Sequence, residues 1–194
     1  TFIVVVTTQI VSLVITFMSS FAICRMKFQN RKIKNLLYTY YLLGISVPVY
    51  ILLFPIYRIN IRLGVLDTLW SLILPYIAIT IPFNTLLFVG FMKGFPKELE
   101  EAALLDGCNR FQIFGKIMLP LTKAGIVSLV IFTAKFAWND FMWPLIVNTS
   151  MDKMTLGPAL STLQGQYTTK YPMQMAGAVM AVIPIIVLFF IFQK

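Results

Sequence analysis

Apolar residues fall in five long blocks along this chain, at about 1–24, 36–57, 69–92, 121–147 and 174–193, with short polar stretches between them. A helix needs about 20 apolar residues to cross the hydrocarbon core of a bilayer, and each block meets or nearly meets that length. The pattern predicts an all-α chain with five membrane spans in a single domain, 1–194, without internal repeats or low-complexity segments. Every block but the first contains proline: Pro48 and Pro55, Pro75 and Pro82, Pro144, and Pro184. Proline removes a backbone donor and costs about 3 kcal/mol inside a soluble helix, but a bundle can supply other donors to the freed carbonyl. Taken singly these residues read as ordinary kinks; together they predict helices bent around a pathway.

Charge orients the blocks. Arg25, Lys27, Arg31, Lys32 and Lys34 follow the first block with no acid among them, so the positive-inside rule places that loop in the cytoplasm. Alternation then puts 58–68 and 148–173 outside, and 93–120 and Lys194 inside. Eleven cations (Arg25, Lys27, Arg31, Lys32, Lys34, Lys93, Lys97, Arg110, Lys116, Lys123, Lys194) fall inside and four (Arg58, Arg62, Lys153, Lys170) outside, which supports that orientation.

Composition removes several classes of function. Of 194 residues 59% are apolar and 12% charged, with a mean hydropathy of +0.85, whereas soluble domains carry about a quarter charged residues. The net charge of +9 is not gathered into a basic stripe interleaved with aromatics, so it reports topology rather than nucleic-acid binding. Cys24 and Cys108 have no pairing or metal-ligand spacing, and histidine is absent, which argues against redox, zinc and Ser-His-Asp chemistry. Thr1 already lies in an apolar run, so a longer polypeptide is expected.

The segment 93–120 is polar in an otherwise apolar chain and has the local chemistry of two short helices. Pro96 suits a first helical position, and Glu98, Glu100 and Glu101 place negative charge where the helix dipole favours it. Gly107 is a natural left-handed stop, and Asn109 with Gln112 forms a capping-box pattern for a second helix running to Pro120. Leu99, Ala102 and Ala103 form a small apolar strip bordered by acids that include Asp106. Two readings fit: an amphipathic turn lying on the headgroups, or a surface for a soluble partner. The acids would be repelled by an anionic leaflet, which favours the partner.

Glu101-Ala102-Ala103, Gly107, Ile117, Leu119 and Pro120 match in kind and spacing the cytoplasmic signature of membrane subunits of bacterial ATP-binding-cassette (ABC) importers, a family this chain resembles. The resemblance implies that the segment is a coupling helix pair seated in a cleft of the ATP-binding subunit. Glu101 would face the ATPase, Ala102 and Ala103 would be the packing surface with Asp106 beside it, and Gly107 would be the turn. Cys108 departs from the small residue, usually alanine, found there in the family. Arg25-Met26-Lys27-Phe28, Leu63-Gly64-Val65-Leu66-Asp67-Thr68, Phe95-Pro96-Lys97-Glu98-Leu99-Glu100 and Trp138-Asn139-Asp140-Phe141 are similar to the carbohydrate permeases of that family, in particular the second permease of maltose-type importers, over essentially the whole chain.

That resemblance implies a type I importer bundle with six spans, one preceding Thr1, and a short cytoplasmic tail after Lys194. It implies residence in the bacterial cytoplasmic membrane, a heterodimer with a second permease, a dimer of ATP-binding subunits, and an extracellular solute-binding protein that delivers a sugar. No cofactor is expected on this chain. It has no GxxxxGK[ST] phosphate loop, so ATP and magnesium would sit on the partner and the chain itself would not be an enzyme.

Lys135, Asn139 and Asp140 lie within an apolar block, where charge costs a few kcal/mol, so they are expected to face the bundle interior. One reading makes Asn139 and Asp140, with Trp138 and Trp143, the lining of a sugar pathway; the other makes Asn139 and Asp140 caps of kinked helices or links between subunits. An ion pair of Lys135 with Asp140 or with a partner's acid is a further expectation. Gln164, Gly165, Gln166 and Tyr167 in the outer segment are expected to reach toward the binding protein. Asn148-Thr149-Ser150 matches a glycosylation triplet, discounted for a bacterial family. Rival readings are an importer of polyamine, phosphate or amino acid, a secondary transporter using Lys135 and Asp140 as an ion relay, and a membrane enzyme on lipid-linked sugars using Asp140 or the Glu98–Glu101 acids.

Overall fold

Helices supply all the regular structure among the residues that the computed structural model describes, 1–26, 28–163 and 171–192. In chain order they are α1 (Phe2–Arg25), α2 (Arg31–Ser46), a 3-10 turn (Val49–Leu52) leading into α3 (Leu53–Arg62), α4 (Trp70–Lys93) and α5 (Glu98–Leu105). After these come α6 (Arg110–Gln112), a π-helical stretch (Ile113–Met118), α7 (Leu119–Leu121), α8 (Lys123–Asn139), α9 (Met142–Val147), α10 (Leu156–Ser161) and α11 (Tyr171–Phe192). Helices α1, α4 and α11 are each long and apolar enough to cross a membrane. The count reaches five if Arg31–Ser46 with Val49–Arg62, and Arg110–Leu121 with Lys123–Asn139, are each one bent span.

Two expected spans are therefore not continuous helices. The 36–57 block breaks at Val47, which is extended (φ −84°, ψ 118°) because the proline ring that follows it excludes the helical conformation. The 121–147 block breaks at Asp140 and Phe141, between α8 and α9. Pro144 lies four residues after Asp140, so it could neither donate to the Asp140 carbonyl nor sit against it in a continuous helix.

The chain groups into two compact units, between which the long helices α1 and α4 are shared. One comprises 11–47 and 79–130, the other 1–10, 48–78 and the described residues from 131 onward. In the first unit Phe88, Met92, Ala103, Ile113, Met118 and Leu129 form a buried core. Gly125 permits a close approach there, since a Cβ at that position would lie 2.7 Å from the Phe91 ring.

The second unit is built on Val4, Val5, Leu72, Ile73, Tyr76, Ala134, Ala137, Trp143 and Val147. Helix α4 runs through Pro75, which leaves the carbonyl of Ser71, four residues earlier, without its helical donor. That carbonyl accepts instead from Asn60 Nδ2 at 3.0 Å and from Trp143 Nε1 at 3.2 Å, and both side chains are buried. Beside it, Asn148 accepts from the Ser71 hydroxyl at 3.0 Å and donates to the Thr68 carbonyl at 3.1 Å. The Asn148 side chain is fully buried, which independently excludes the glycosylation reading.

The loops expected on the outer side meet at Asp67, a non-glycine residue in the left-handed region (φ 55°). Its backbone N–H donates to the Val147 carbonyl at 3.0 Å. Its carboxylate accepts from the N–H groups of Thr149 (2.9 Å) and Ser150 (3.0 Å) and from the Ser150 hydroxyl, with Lys153 Nζ at 3.9 Å. The Ser150 hydroxyl above all, then the two N–H groups and Lys153, hold the Asp67 pKa below the ordinary value. A depressed carboxylate stabilises the fold at pH above about 3.9, and that contribution disappears as pH falls through the lower folded pKa. Protease cleavage in 148–156 is therefore expected to rise in the wild type as pH is taken from neutrality to below 4. The Asp67→Asn protein should be cleaved faster at neutral pH and respond less to acid; an identical pH response would remove this role.

Candidate functional site

Helix α5 begins at Glu98, so Pro96 lies just ahead of the first turn rather than at its first position. The helix closes with the N–H of Gly107 (φ 81°) donating to the Leu104 carbonyl at 3.1 Å and that of Cys108 to the Ala103 carbonyl at 2.9 Å. This is a Schellman turn, and the Cys108 side chain packs against the core that contains Ala103. The next helix starts with the expected capping box: Asn109 Oδ1 accepts from Gln112 N at 2.9 Å while Gln112 Oε1 accepts from Asn109 N at 2.8 Å.

The second helix does not run as a plain α-helix to Pro120. It widens into the π-helical stretch, continues through Pro120 to Leu121, and bends by 76° into α8. Pro120 cannot donate to Lys116, and a wider turn ahead of it relieves the missing bond. Buried Thr122 caps the bend by donating from Oγ1 to the Met118 carbonyl at 2.7 Å.

The expected coupling residues separate into inner and outer sets. Ala103 is buried and Ile117 and Leu119 are half-buried, whereas Glu101, Ala102, Asp106, Gly107 and Pro120 are exposed. Sequence reasoning missed the largest exposed groups: Leu105 is 90% exposed and Phe111 85%, with Leu104 also out. Leu105 and Phe111 thus flank the turn at Gly107 as bare apolar side chains beside the exposed Glu101, Ala102 and Asp106. Glu100 points the other way, onto Arg25 Nε at 2.9 Å. Burial pushes the Glu100 pKa up, against the pull of Arg25, Arg110 and Lys97.

In the other unit, a cavity of about 650 Å³ is lined by Tyr50, Phe132, Lys135, Phe136, Asn139, Asp140, Phe141 and Met142. It opens where α8 stops, so the break that Pro144 imposes brings Asn139 and Asp140 to the cavity wall. Asp140 Oδ2 accepts from the hydroxyl of Tyr76, a buried α4 residue that sequence reasoning overlooked, at 2.7 Å. Among the described residues Lys135 makes no ion pair with Asp140.

The tryptophans do not line this cavity. Trp143 is buried on the Ser71 carbonyl, and Trp138 Nε1 donates at 3.0 Å to the carbonyl of Ala181, within the turn of α11 that Pro184 interrupts. Both indoles supply donors near proline-disturbed backbone, and the aromatic wall comes from phenylalanines and Tyr50 instead. Gln164, Gly165, Gln166 and Tyr167 lie outside the described residues.

Bent, long apolar helices joined by a short polar elbow define a polytopic membrane protein. The chain belongs to the family of binding-protein-dependent transport system inner membrane components, whose pattern matches residues 12–194. It is 36% identical over 185 residues to the arabinooligosaccharides transport system permease protein AraQ of Halalkalibacterium halodurans, covering 95% of this chain and 64% of that one. It is 34% identical over 192 residues to the diacetylchitobiose uptake system permease protein DasC of Streptomyces coelicolor, covering 99% of this chain and 68% of that one. In fold it is similar to a chain of a bacterial ABC transporter involved in the import of the acidic polysaccharide alginate (TM-score 0.78, 20% identity, 98% of this chain and 70% of that one). The chain spans 62–65% of the length of several related permeases.

Proposed function

We propose that this chain is the membrane-spanning permease portion of an ATP-driven importer that passes a sugar or oligosaccharide from an extracellular binding protein across the cytoplasmic membrane. The elbow carries this reading. Its Schellman turn and capping box hold two helices in which Glu101, Ala102, Leu105 and Phe111 are all exposed and available to a partner. Closure of an ATPase dimer against that surface would favour one access state of the bundle over the other, and the solute moves because of that difference. Nucleotide and magnesium would be held by the ATPase, and a second permease would complete the pathway. The sugar class is supported by relatives named for arabinooligosaccharide transport and diacetylchitobiose uptake, and by the cavity, where Asn139 offers hydrogen bonds beside aromatic faces.

Purification of the tagged chain from native membranes in mild detergent should recover a Walker-motif ATPase, a second permease and a binding protein. Recovery of the chain alone, in detergent that preserves other complexes, would overturn the reading and favour a secondary transporter. Within the importer, Asn139→Ala and Phe136→Ala should each raise the half-saturating sugar concentration for transport by about three- to tenfold, about 1 kcal/mol of lost contact. Sugar affinity of the isolated binding protein should not change. Unaltered transport in both variants would remove the cavity from the pathway.

A further inference from the structure

Arg25 ends α1, and its side chain is only 4% exposed. One terminal nitrogen, Nη2, donates to the carbonyls of Met92 (2.5 Å) and Phe95 (2.9 Å), at and just beyond the end of α4. Its Nε lies 2.9 Å from Glu100 Oε1 on α5. A single planar guanidinium therefore joins the ends of two long apolar helices to the short helix that carries Glu101 and Ala102. Between α4 and α5 runs a link at 94–97 that contains Gly94 and Pro96 and is not helical. Such a link bends more readily than a helix, so a push on α5 reaches α4 only through what crosses the link: the packing of Ala103 with Phe88 and Met92, and the directional polar tie of Arg25.

Lysine could not make the same bridge, because its one compact ammonium lacks the fixed fork that serves several acceptors at once. The ion pair is also not a surface ornament. Removing either partner of a nearly buried pair leaves the other uncompensated, which holds the geometry tightly while both are present.

We propose that Arg25, through Glu100 and the Met92 and Phe95 carbonyls, is the positioning residue that makes α5 move as one body with the ends of α1 and α4, so that work done on the elbow reaches the bundle. This rests on the importer reading. Arg25 touches neither solute nor nucleotide; without it the elbow still docks, but more of its displacement is spent in the 94–97 link.

The test uses the assembled importer in proteoliposomes, with its ATPase subunits, second permease and binding protein, and reads the sugar transported per ATP hydrolysed. Arg25→Gln should lower that ratio about tenfold. Arg25→Lys and Glu100→Gln should fall between it and the wild type, with the half-saturating concentration of loaded binding protein unchanged in all three. Arg31→Gln, an exposed residue of α2, serves as the control. A merely structural anchor would instead reduce the amount of complex and lower transport and hydrolysis in parallel; an unchanged ratio in Arg25→Lys and Glu100→Gln overturns the proposal. If Arg25→Gln does not assemble, Glu100→Gln decides, because it leaves both carbonyl bonds in place. A wild-type chain that recovers no ATPase overturns the importer reading itself, an outcome distinct from a coupled wild type with unaltered variants.

Discussion

Glu101→Lys and Gly107→Val are each expected to abolish uptake while leaving the chain at its normal level in the membrane. Glu101 is exposed on α5, where substitutions usually change stability by no more than about 0.5 kcal/mol. Reversing its charge should therefore be felt by a docked partner rather than by the fold. Gly107 acts through the backbone. At φ 81° a β-branched side chain is strained by about 1–2 kcal/mol, and relief of that strain would break the two bonds that close the Schellman turn. The turn sets the angle between α5 and the helix that carries Phe111, so Gly107→Val should change how α5 presents Glu101 and Leu105 without disturbing the membrane helices. Each variant should lose ATPase in a pull-down and lower uptake by more than tenfold, the effect of about 1.4 kcal/mol. Normal transport by both would remove the coupling role from this segment.

The second large effect concerns the Ser71 carbonyl. Asn60 and Trp143 both donate to it, so losing one leaves the other in place, and only the double loss leaves the carbonyl bare. A buried acceptor with no partner costs about 1–3 kcal/mol. Asn60→Leu combined with Trp143→Phe should destabilise the chain by about that much more than the sum of the single variants, a positive coupling readable by a double-mutant cycle. Thermal unfolding in detergent would measure it. Strict additivity would mean that Pro75 leaves no carbonyl in need of a donor.

Local rules make the elbow legible in the sequence. A capping box depends on residues three apart, and a left-handed glycine on its immediate neighbours, so Asn109, Gln112 and Gly107 are assignable from the chain alone. The all-α class is equally plain from the apolar blocks. The direction of each acid is not. Glu100 and Glu101 are adjacent and chemically alike, and what turns Glu100 inward is Arg25 on a different helix. Likewise Trp138 and Trp143 resemble a sugar platform in sequence because they flank Asn139 and Asp140. Their true partners, the carbonyls of Ala181 and Ser71, are 43 and 72 residues away. Tyr76, the partner of Asp140, is hidden in the same way, 64 residues distant. The breaks at Val47 and Asp140 are more accessible, since both follow from the prolines at 48 and 144. Apolar length alone conceals them, because it counts residues and ignores where the prolines fall.

Leu105 and Phe111 stand 90% and 85% bare on the elbow. For a chain synthesised in excess of the proposed ATPase, that surface would stay open to every hydrophobic stranger in the cytoplasm, and bare apolar side chains are also the kind of signal that chaperones and proteases read. On the importer reading, the same features that would let this subunit recognise its ATPase would also identify it as an orphan when none is available, and would tie its abundance in the cell to that of its partner.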